Sequence, residues 1–226
     1  MTVNAIILAR GGSKGIPKKN IIDFCGKPLI FWTIDQCLKS KYINNVWVSS
    51  ESDEILDIAT KYGSETIKRP IEISGDFVSS EVAWLHAIDY IKKKQDIDII
   101  VAPQVTSPLR ESKDFDKALE QYKKNGFDSM FSSSISEDLF LWQKNALDGL
   151  ESINYDYINR KRRQDNQLQI IENGSFYIFT SEIIKKYKNR FGGKIGHFQM
   201  EFWKMIEIDN IEDLRICNAL MKEFLL

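Results

Sequence analysis

Residues 10 to 20 read Arg-Gly-Gly-Ser-Lys-Gly-Ile-Pro-Lys-Lys-Asn, a basic, glycine-rich stretch that follows a short apolar run. Glycines at 11, 12 and 15 let backbone N–H groups approach an anion closely, and Arg10, Lys14, Lys18 and Lys19 supply cations for several phosphate charges. The stretch therefore reads as a phosphate cradle. Its spacing matches neither G-x-x-x-x-G-K-S/T nor G-x-G-x-x-G, so neither a Walker-type NTPase nor a dinucleotide enzyme is supported. With two histidines in the chain, His86 and His197, there is little material for a Ser-His-Asp triad or a multi-histidine metal site. Chemistry falls to carboxylates, cations and backbone amides.

The elements that must position this loop follow from hydrophobic spacing. Asn4 to Ala9 is a continuous apolar run, the pattern of a buried strand feeding a turn. After the loop, Pro28 opens a helix with Leu29, Ile30, Ile34, Cys37 and Leu38 at helical spacing. Val46 to Val48 reads as a strand, Ser52 as the cap of a helix to about Tyr62, and Glu65 to Lys68 as a strand. Ser80 caps the next predicted helix, with Val82, Leu85, Ile88 and Ile91 as its stripe, and Asp98 to Ala102 is the next buried strand. A loop with two prolines, Pro103 to Arg110, leads to a helix over about Lys113 to Lys124 and a strand near Asp128 to Phe131. Alternation of this kind predicts an α/β fold, a mostly parallel layered sheet with helices on both faces. From Ser132 to Asn173 the pattern turns polar and reads as an insertion or flap carrying the basic run Asn159 to Arg163. Ser175 to Phe179 resumes as a strand, Ser181 caps a short helix, and Asp209 to Leu225 forms a last amphipathic helix with Ile211, Leu214, Cys217, Leu220 and Met221 inward.

Composition narrows the class. The 226 residues are 43% apolar with a net charge of −1, enough for a sizeable core in one domain and without the basic excess of a nucleic-acid or anionic-membrane binder. Three cysteines, Cys25, Cys37 and Cys217, with no Cys-x-x-Cys pair, fit free thiols in a reducing, cytoplasmic compartment, and no segment approaches the roughly 20 apolar residues of a spanning helix.

Five blocks in order along the chain resemble one family. Leu8 to Asn20 is similar throughout to the opening LARGGSKGIPxKN of the CMP-sugar-acid synthetases, specifically the acylneuraminate cytidylyltransferases. Arg69-Pro70 with Ser74-Gly75-Asp76, Ser79-Ser80 and Leu85-His86-Ala87 resembles that family's cytosine-binding stretch. Gln104 with Thr106 to Arg110 resembles QPTSPLR, departing from it at Val105, where the pattern has proline. Arg162 to Asp165 with Glu172 to Ser175 resembles the RRQD and ENGS pair, and Ile208 to Leu214 the closing ID-x-x-x-DL.

The resemblance implies a Rossmann-like nucleotidyltransferase fold over residues 1–226, with about 138–159 as a dimerisation arm and a homodimer as the assembly. It implies CTP and a sugar acid as substrates, with neither nucleic acid nor membrane as partner. Attack of a sugar hydroxyl on the α-phosphate builds charge on phosphate oxygens, so Arg10, Lys14 and Lys19, with the Gly11, Gly12 and Ser13 amides, are the catalytic and cradle candidates, and Arg10 and Lys19 the central pair by resemblance. Asn20, Arg69 and Ser80 are carried over to the nucleotide site. Seen alone, Ser80 is a helix cap and Arg69 an exposed residue before a proline. Asp209, with Asp213, is expected to hold Mg²⁺. A planar guanidinium matches a sugar carboxylate, which points to Arg163 and Arg162, with Gln164 beside them and Gln104 on sugar hydroxyls. His86 reads as structural. The expected reaction is transfer of CMP to the anomeric hydroxyl of a nine-carbon, sialic-acid-like 3-deoxy-ulosonic acid, for surface glycan synthesis. The eight-carbon acid Kdo is the rival acceptor, and a silent nucleotide-binding module the rival of another class.

Overall fold

The computed structural model describes residues 1–13, 15–136, 139–146, 148–165 and 168–226, the side chain of Arg163 excepted. In chain order the strands are β1 (Val3–Leu8), β2 (Asp23–Phe24), β3 (Lys27–Pro28), β4 (Asn45–Ser50), β5 (Glu65–Lys68), β6 (Ile99–Pro103), β7 (Ser129–Ser136), β8 (Trp142–Lys144), β9 (Leu150–Ser152), β10 (Gln169–Thr180) and β11 (Ile195–Gln199). The α-helices are α1 (Leu29–Leu38), α2 (Asp53–Lys61), α3 (Ser80–Ile91), α4 (Ser112–Asn125), α5 (Ser181–Tyr187) and α6 (Ile211–Phe224).

Seven strands form one sheet in the order β11-β7-β10-β6-β1-β4-β5. β1 pairs in parallel with β4 and β6, β4 with β5, and β7 with β11, while β10 runs antiparallel to both β6 and β7. Because strand side chains alternate, the central strands feed two cores. Ala5, Ile7, Val46, Val48, Ile99 and Val101 pack with α1, α2, α4 and α6 on one face. Ile6, Trp47, Ile100, Ala102, Tyr177 and Phe179 pack with α3 and α5 on the other. The mostly parallel layered sheet with helices on both faces is thus observed, and each fully buried aliphatic side chain contributes about 1.5–3 kcal/mol to it.

Several local expectations shift. The first helical residue of α3 is Ser80, and the cap position belongs to Ser79; likewise Thr180, not Ser181, caps α5, accepting from the Ile183 N–H. α3 turns Ala83, Trp84, Ala87, Ile88 and Ile91 inward, leaving Val82 exposed, so the stripe is rotated from the one the spacing suggests. Leu38 and Ile211 are also exposed. α6 begins at Ile211 with Asn210 as its cap.

The largest departure lies in residues 132 to 173. Ser132 to Ser136 extend β7, Gln169 to Asn173 extend β10, and the short β8–β9 hairpin between them forms a separate two-stranded sheet. The polarity that suggested a flap is a buried serine ladder whose hydroxyls are satisfied internally. Ser132 donates to Asn173 Oδ1 at 2.7 Å, Ser133 to the Phe198 carbonyl at 3.1 Å, and Asn173 Nδ2 to Ser134 Oγ at 3.3 Å.

Candidate active site

The loops at the C-terminal ends of β1, β5 and β6, with the start of α3 and the segment before α6, enclose a cleft of about 490 Å³. A crevice outside the carboxyl ends of an open α/β sheet is the expected ligand position. Its lining includes Arg10, Ser13, Lys19, Asn20, Arg69, Ser80, Gln104 and Asp209, so most of the expected site residues converge.

The basic loop is held by its own side chains. Ile16 is buried, and Asn20 Nδ2 donates to the Arg10 carbonyl at 2.8 Å, closing the loop on itself. Lys19, with its side chain largely buried, donates to the Ile208 carbonyl and to Asp209 Oδ1, both at 2.9 Å. Gly15 is required by close approach: a Cβ there would lie 2.3 Å from the Asp209 carbonyl oxygen. The cradle is thus docked on the segment before α6. Arg10 ion-pairs with Asp76 across the cleft mouth. Lys14 lies outside the described residues.

Three features of the expected cradle are corrected. The Gly11 N–H is spent on Glu51 Oε1, at 2.6 Å, and does not line the cleft. Gly12 is exposed with open space around it, so nothing packs close enough to demand glycine. Lys18 turns away to pair with Glu54 at 2.7 Å.

Arg69 is buried rather than exposed. Its Nη2 meets Glu51 Oε2 at 3.2 Å and its Nε donates to Ser74 Oγ at 2.9 Å. Burial pushes its pKa down, against the opposing pull of Glu51. Glu51 therefore links the basic loop to the β5 loop, a role that sequence reasoning missed. Ser80 sits on the exposed first turn of α3 at the cleft wall. Burial, and then the charge of Arg69, push the imidazole of His86 down.

Gln104 is positioned from beneath. Its N–H donates to the Ser175 carbonyl at 3.0 Å, and the fully buried Arg110 donates to its carbonyl at 3.0 Å and to Thr33 Oγ1 at 2.6 Å. Val105, the departure from the motif, is buried in the core, so the loop keeps an apolar anchor there.

The carboxylate pair differs from expectation. Asp213 is the third residue of α6, and its Oδ2 accepts the N–H groups of Asp209 and Asn210, both at 3.0 Å, completing a capping box. It does not line the cleft. Glu207 does, beside Asp209. In Glu207-Ile208-Asp209 the middle residue enters the core and the flanking pair reaches the cleft. Glu207 Oε1 accepts from Thr106 Oγ1 at 2.6 Å. Burial raises the pKa of Glu207, helped by Asp209 and opposed by Thr106 and Lys19. A cation near the pair would relieve that cost. Among the described residues no group of three or more His, Cys, Asp or Glu side chains is placed to hold a metal. Two carboxylates completed by phosphate oxygens and water nevertheless suit Mg²⁺.

Arg162 and Gln164 are exposed and outside the cleft, with Arg162 Nε paired to Asp165 at 2.8 Å; the Arg163 side chain lies outside the description. In their place the cleft holds an unforeseen guanidinium, Arg190.

The model of the family described as cytidylyltransferase matches residues 4–220. The chain belongs to the cytidylyltransferase family. It is 38% identical over 211 residues to the N-acylneuraminate cytidylyltransferase of Oncorhynchus mykiss, covering 92% of this chain and 47% of that protein. It is 31% identical over 224 residues to the pseudaminic acid cytidylyltransferase of Campylobacter jejuni subsp. jejuni, covering 96% of this chain and 95% of that protein. The chain thus spans about half the length of its vertebrate relatives, 47% of the Oncorhynchus mykiss protein and 48% of a Danio rerio one. In fold it is similar to a CMP:2-keto-3-deoxy-manno-octonic acid synthetase complexed with CTP, with a TM-score of 0.74 at 16% identity over the whole of both chains. A 4-diphosphocytidyl-2C-methyl-D-erythritol synthase from Anaerococcus prevotii shares the fold, with a TM-score of 0.66 at 17% identity over 98% of each chain.

Proposed function

We propose that this cytidylyltransferase transfers CMP from CTP to the anomeric hydroxyl of a nine-carbon 3-deoxy-ulosonic acid and releases pyrophosphate. The observation that carries the reading is the convergence of Arg10, Lys19, Glu207 and Asp209 on one cleft, with Gln104 beside them. Relatives named for N-acylneuraminate and pseudaminic acid support the acceptor class.

Arg10 and Lys19 meet the triphosphate, exchanging their present partners Asp76 and Asp209 for phosphate oxygens. Arg69 and Ser80 contribute to the cytosine site, and Gln104 orients the sugar hydroxyls. A bond forms between the anomeric oxygen and the α-phosphorus as the bond to the leaving pyrophosphate breaks, and the hydroxyl proton is released to solvent. Glu207 and Asp209 are the residues that would hold Mg²⁺, which when bound supplies positive charge to the phosphate oxygens.

The assembly in this reading is a homodimer. Support comes from the β8–β9 region, where Leu141, Trp142, Leu150, Ile153 and Tyr157 are exposed apolar side chains on a hairpin too small to have a core of its own. In a dimer built on that arm, Arg162 and Arg163 serve the partner's cleft. The setting in this reading is the cytoplasm, which the three unpaired cysteines support.

Pyrophosphate release with CTP and Mg²⁺ over sialic, legionaminic, pseudaminic and Kdo acids, with Asp209→Ala as control, tests the reading. Turnover of a nine-carbon acid that is lost in the variant supports it. Preference for Kdo replaces the acceptor, and CTP binding without turnover on any acid favours a silent module.

A further inference from the structure

Among the described residues Arg110 is the largest side chain to be fully buried, and it forms no ion pair with any of them. Its partners are neutral oxygens. Nη1 donates to the carbonyls of Gln104, Ser107 and Ser175, and Nη2 donates to Thr33 Oγ1 at 2.6 Å, while Nε is buried without a partner. Burial pushes its pKa down to about 10, against Cys37 and Asp114, so the group is still a cation at neutral pH. Asp114 is itself paired with Lys204 at 2.9 Å. A buried cation without a counter-ion costs stability that an apolar side chain would not, so charge alone does not explain an arginine here. What an arginine adds is a planar fork that reaches oxygens on three separate segments: the loop after β6, strand β10 and helix α1.

Those segments meet under one cleft residue. The Gln104 N–H donates to the Ser175 carbonyl at 3.0 Å, its own carbonyl accepts from Arg110 at 3.0 Å, and Arg110 reaches the same Ser175 carbonyl at 3.2 Å. Both main-chain groups of Gln104 are therefore fixed by a single triangle. Its side chain lines the cleft, and the amide makes no hydrogen bond to any described residue. Ser175 lies where the pairing of β10 with β7 shifts register, between Glu172 and Tyr177, and Gly174 there has a φ of 66°. An irregularity of this kind re-aims the groups beside a site. A Cβ on Gly174 would lie 3.4 Å from Gln104 Nε2, so the bent strand also backs the amide directly.

We propose that Arg110 is a positioning residue for acceptor binding: its guanidinium fork, rather than its charge, fixes the backbone of Gln104 and so aims the Gln104 amide at the sugar acid. This rests on the CMP-transfer reading above, in which Gln104 orients the sugar hydroxyls. Thr33, which is buried in α1 and does not line the cleft, belongs to the same device because it anchors the second terminal nitrogen.

The experiment measures kcat and KM, for CTP and for the acid that wild type turns over, in Arg110→Lys, Thr33→Val and Thr33→Ser, each alone and combined with Gln104→Ala. Arg110→Lys keeps the cation and loses the fork, so kcat/KM on the acid falls about tenfold or more while the KM for CTP changes by less than about twofold. Thr33→Val removes one acceptor and lowers kcat/KM on the acid about three- to tenfold, whereas Thr33→Ser keeps the hydroxyl and stays within about twofold of wild type. In the Gln104→Ala background neither Arg110→Lys nor Thr33→Val lowers kcat/KM further, because the residue they act through is gone. Losses that add to that of Gln104→Ala, or a rise in the KM for CTP equal to that for the acid, overturn the assignment. Unchanged kinetics in Arg110→Lys overturn it too, since the charge would then suffice. Where Arg110→Lys does not fold, the Thr33 pair decides by the same criteria. A wild type that binds CTP but turns over no acid defeats the transfer reading and the assignment with it; turnover with the losses placed elsewhere defeats the assignment alone.

Discussion

Glu51 and Arg69 form an ion pair at 3.2 Å with both side chains nearly buried, 12% and 5% exposed, and the second Glu51 oxygen accepts the Gly11 N–H at 2.6 Å. One carboxylate therefore ties the glycine-rich basic loop after β1 to the loop after β5 that carries Arg69. Removing one member of such a pair leaves the other charge buried and uncompensated. Glu51→Ala is expected to cost about 3–5 kcal/mol in urea unfolding, and the double variant with Arg69→Met to cost less than the sum of the two. Additive losses would sink the idea of a coupled pair.

Gly15 offers no room for a side chain against the Asp209 carbonyl, 2.3 Å from its virtual Cβ. Gly15→Ala must push the basic loop off the segment before α6 and pull Lys19 from Asp209. A loss of about 1–3 kcal/mol in stability is expected. Turnover should fall about 10²-fold, since an ångström of misplacement at a reacting centre costs that much. Normal steady-state kinetics for this variant would show that the docking is unimportant.

Asp213 and Glu207 separate capping from metal binding. Asp213→Ala removes the capping box of α6 and should destabilise by about 1 kcal/mol while leaving the Mg²⁺ concentration for half-maximal rate unchanged. Glu207→Gln should raise that concentration about tenfold or more. A Mg²⁺ titration of both variants checks this, and a shift confined to Asp213→Ala would return Asp213 to the metal site.

Lys204 is buried with its Nζ at 2.9 Å from Asp114, 2.9 Å from Glu201 and 3.1 Å from Glu111. Burial pushes the Glu111 and Glu201 carboxyls up, but the lysine hydrogen bonds outweigh it and leave both below their ordinary range. Carboxylates depressed in the folded state contribute stability above their ordinary pKa and lose it as pH falls through the folded value. Wild type should therefore lose stability as the pH drops below about 4.5, the ordinary glutamate range. Lys204→Met should be less stable at pH 7 by about 3–5 kcal/mol and flatter below it. Thermal melts from pH 3 to 7 would reveal parallel curves if the cluster were inert.

Residue order alone carried the alternation of strands and helices, because apolar periodicity is imposed by which side chains must leave water, and this is a local property of the chain. The same holds for the glycine-rich basic loop, whose position between β1 and α1 is a matter of sequence. The serine-rich second half of β7, Ser132 to Ser136, was not legible in that way. Its hydroxyls are buried, and what satisfies them is Asn173 and the Phe198 carbonyl, partners that only a folded sheet brings near.

The site divides along the same line. Arg10, Lys19, Gln104 and Asp209 were recognisable because each belongs to a contiguous motif, and the fold assembles them in one cleft. Glu51, Glu207 and Arg190 were not, because isolated charged residues look alike until burial removes water from around them. The carboxylate of Asp213 was visible, but that it meets the backbone at the start of α6 depended on where that helix began. Residue types and their periodicity determined the layers and the glycine-rich basic loop, while distance, burial and the pairing of distant charges, which exist only once the chain has closed, decided which side chains face the cleft.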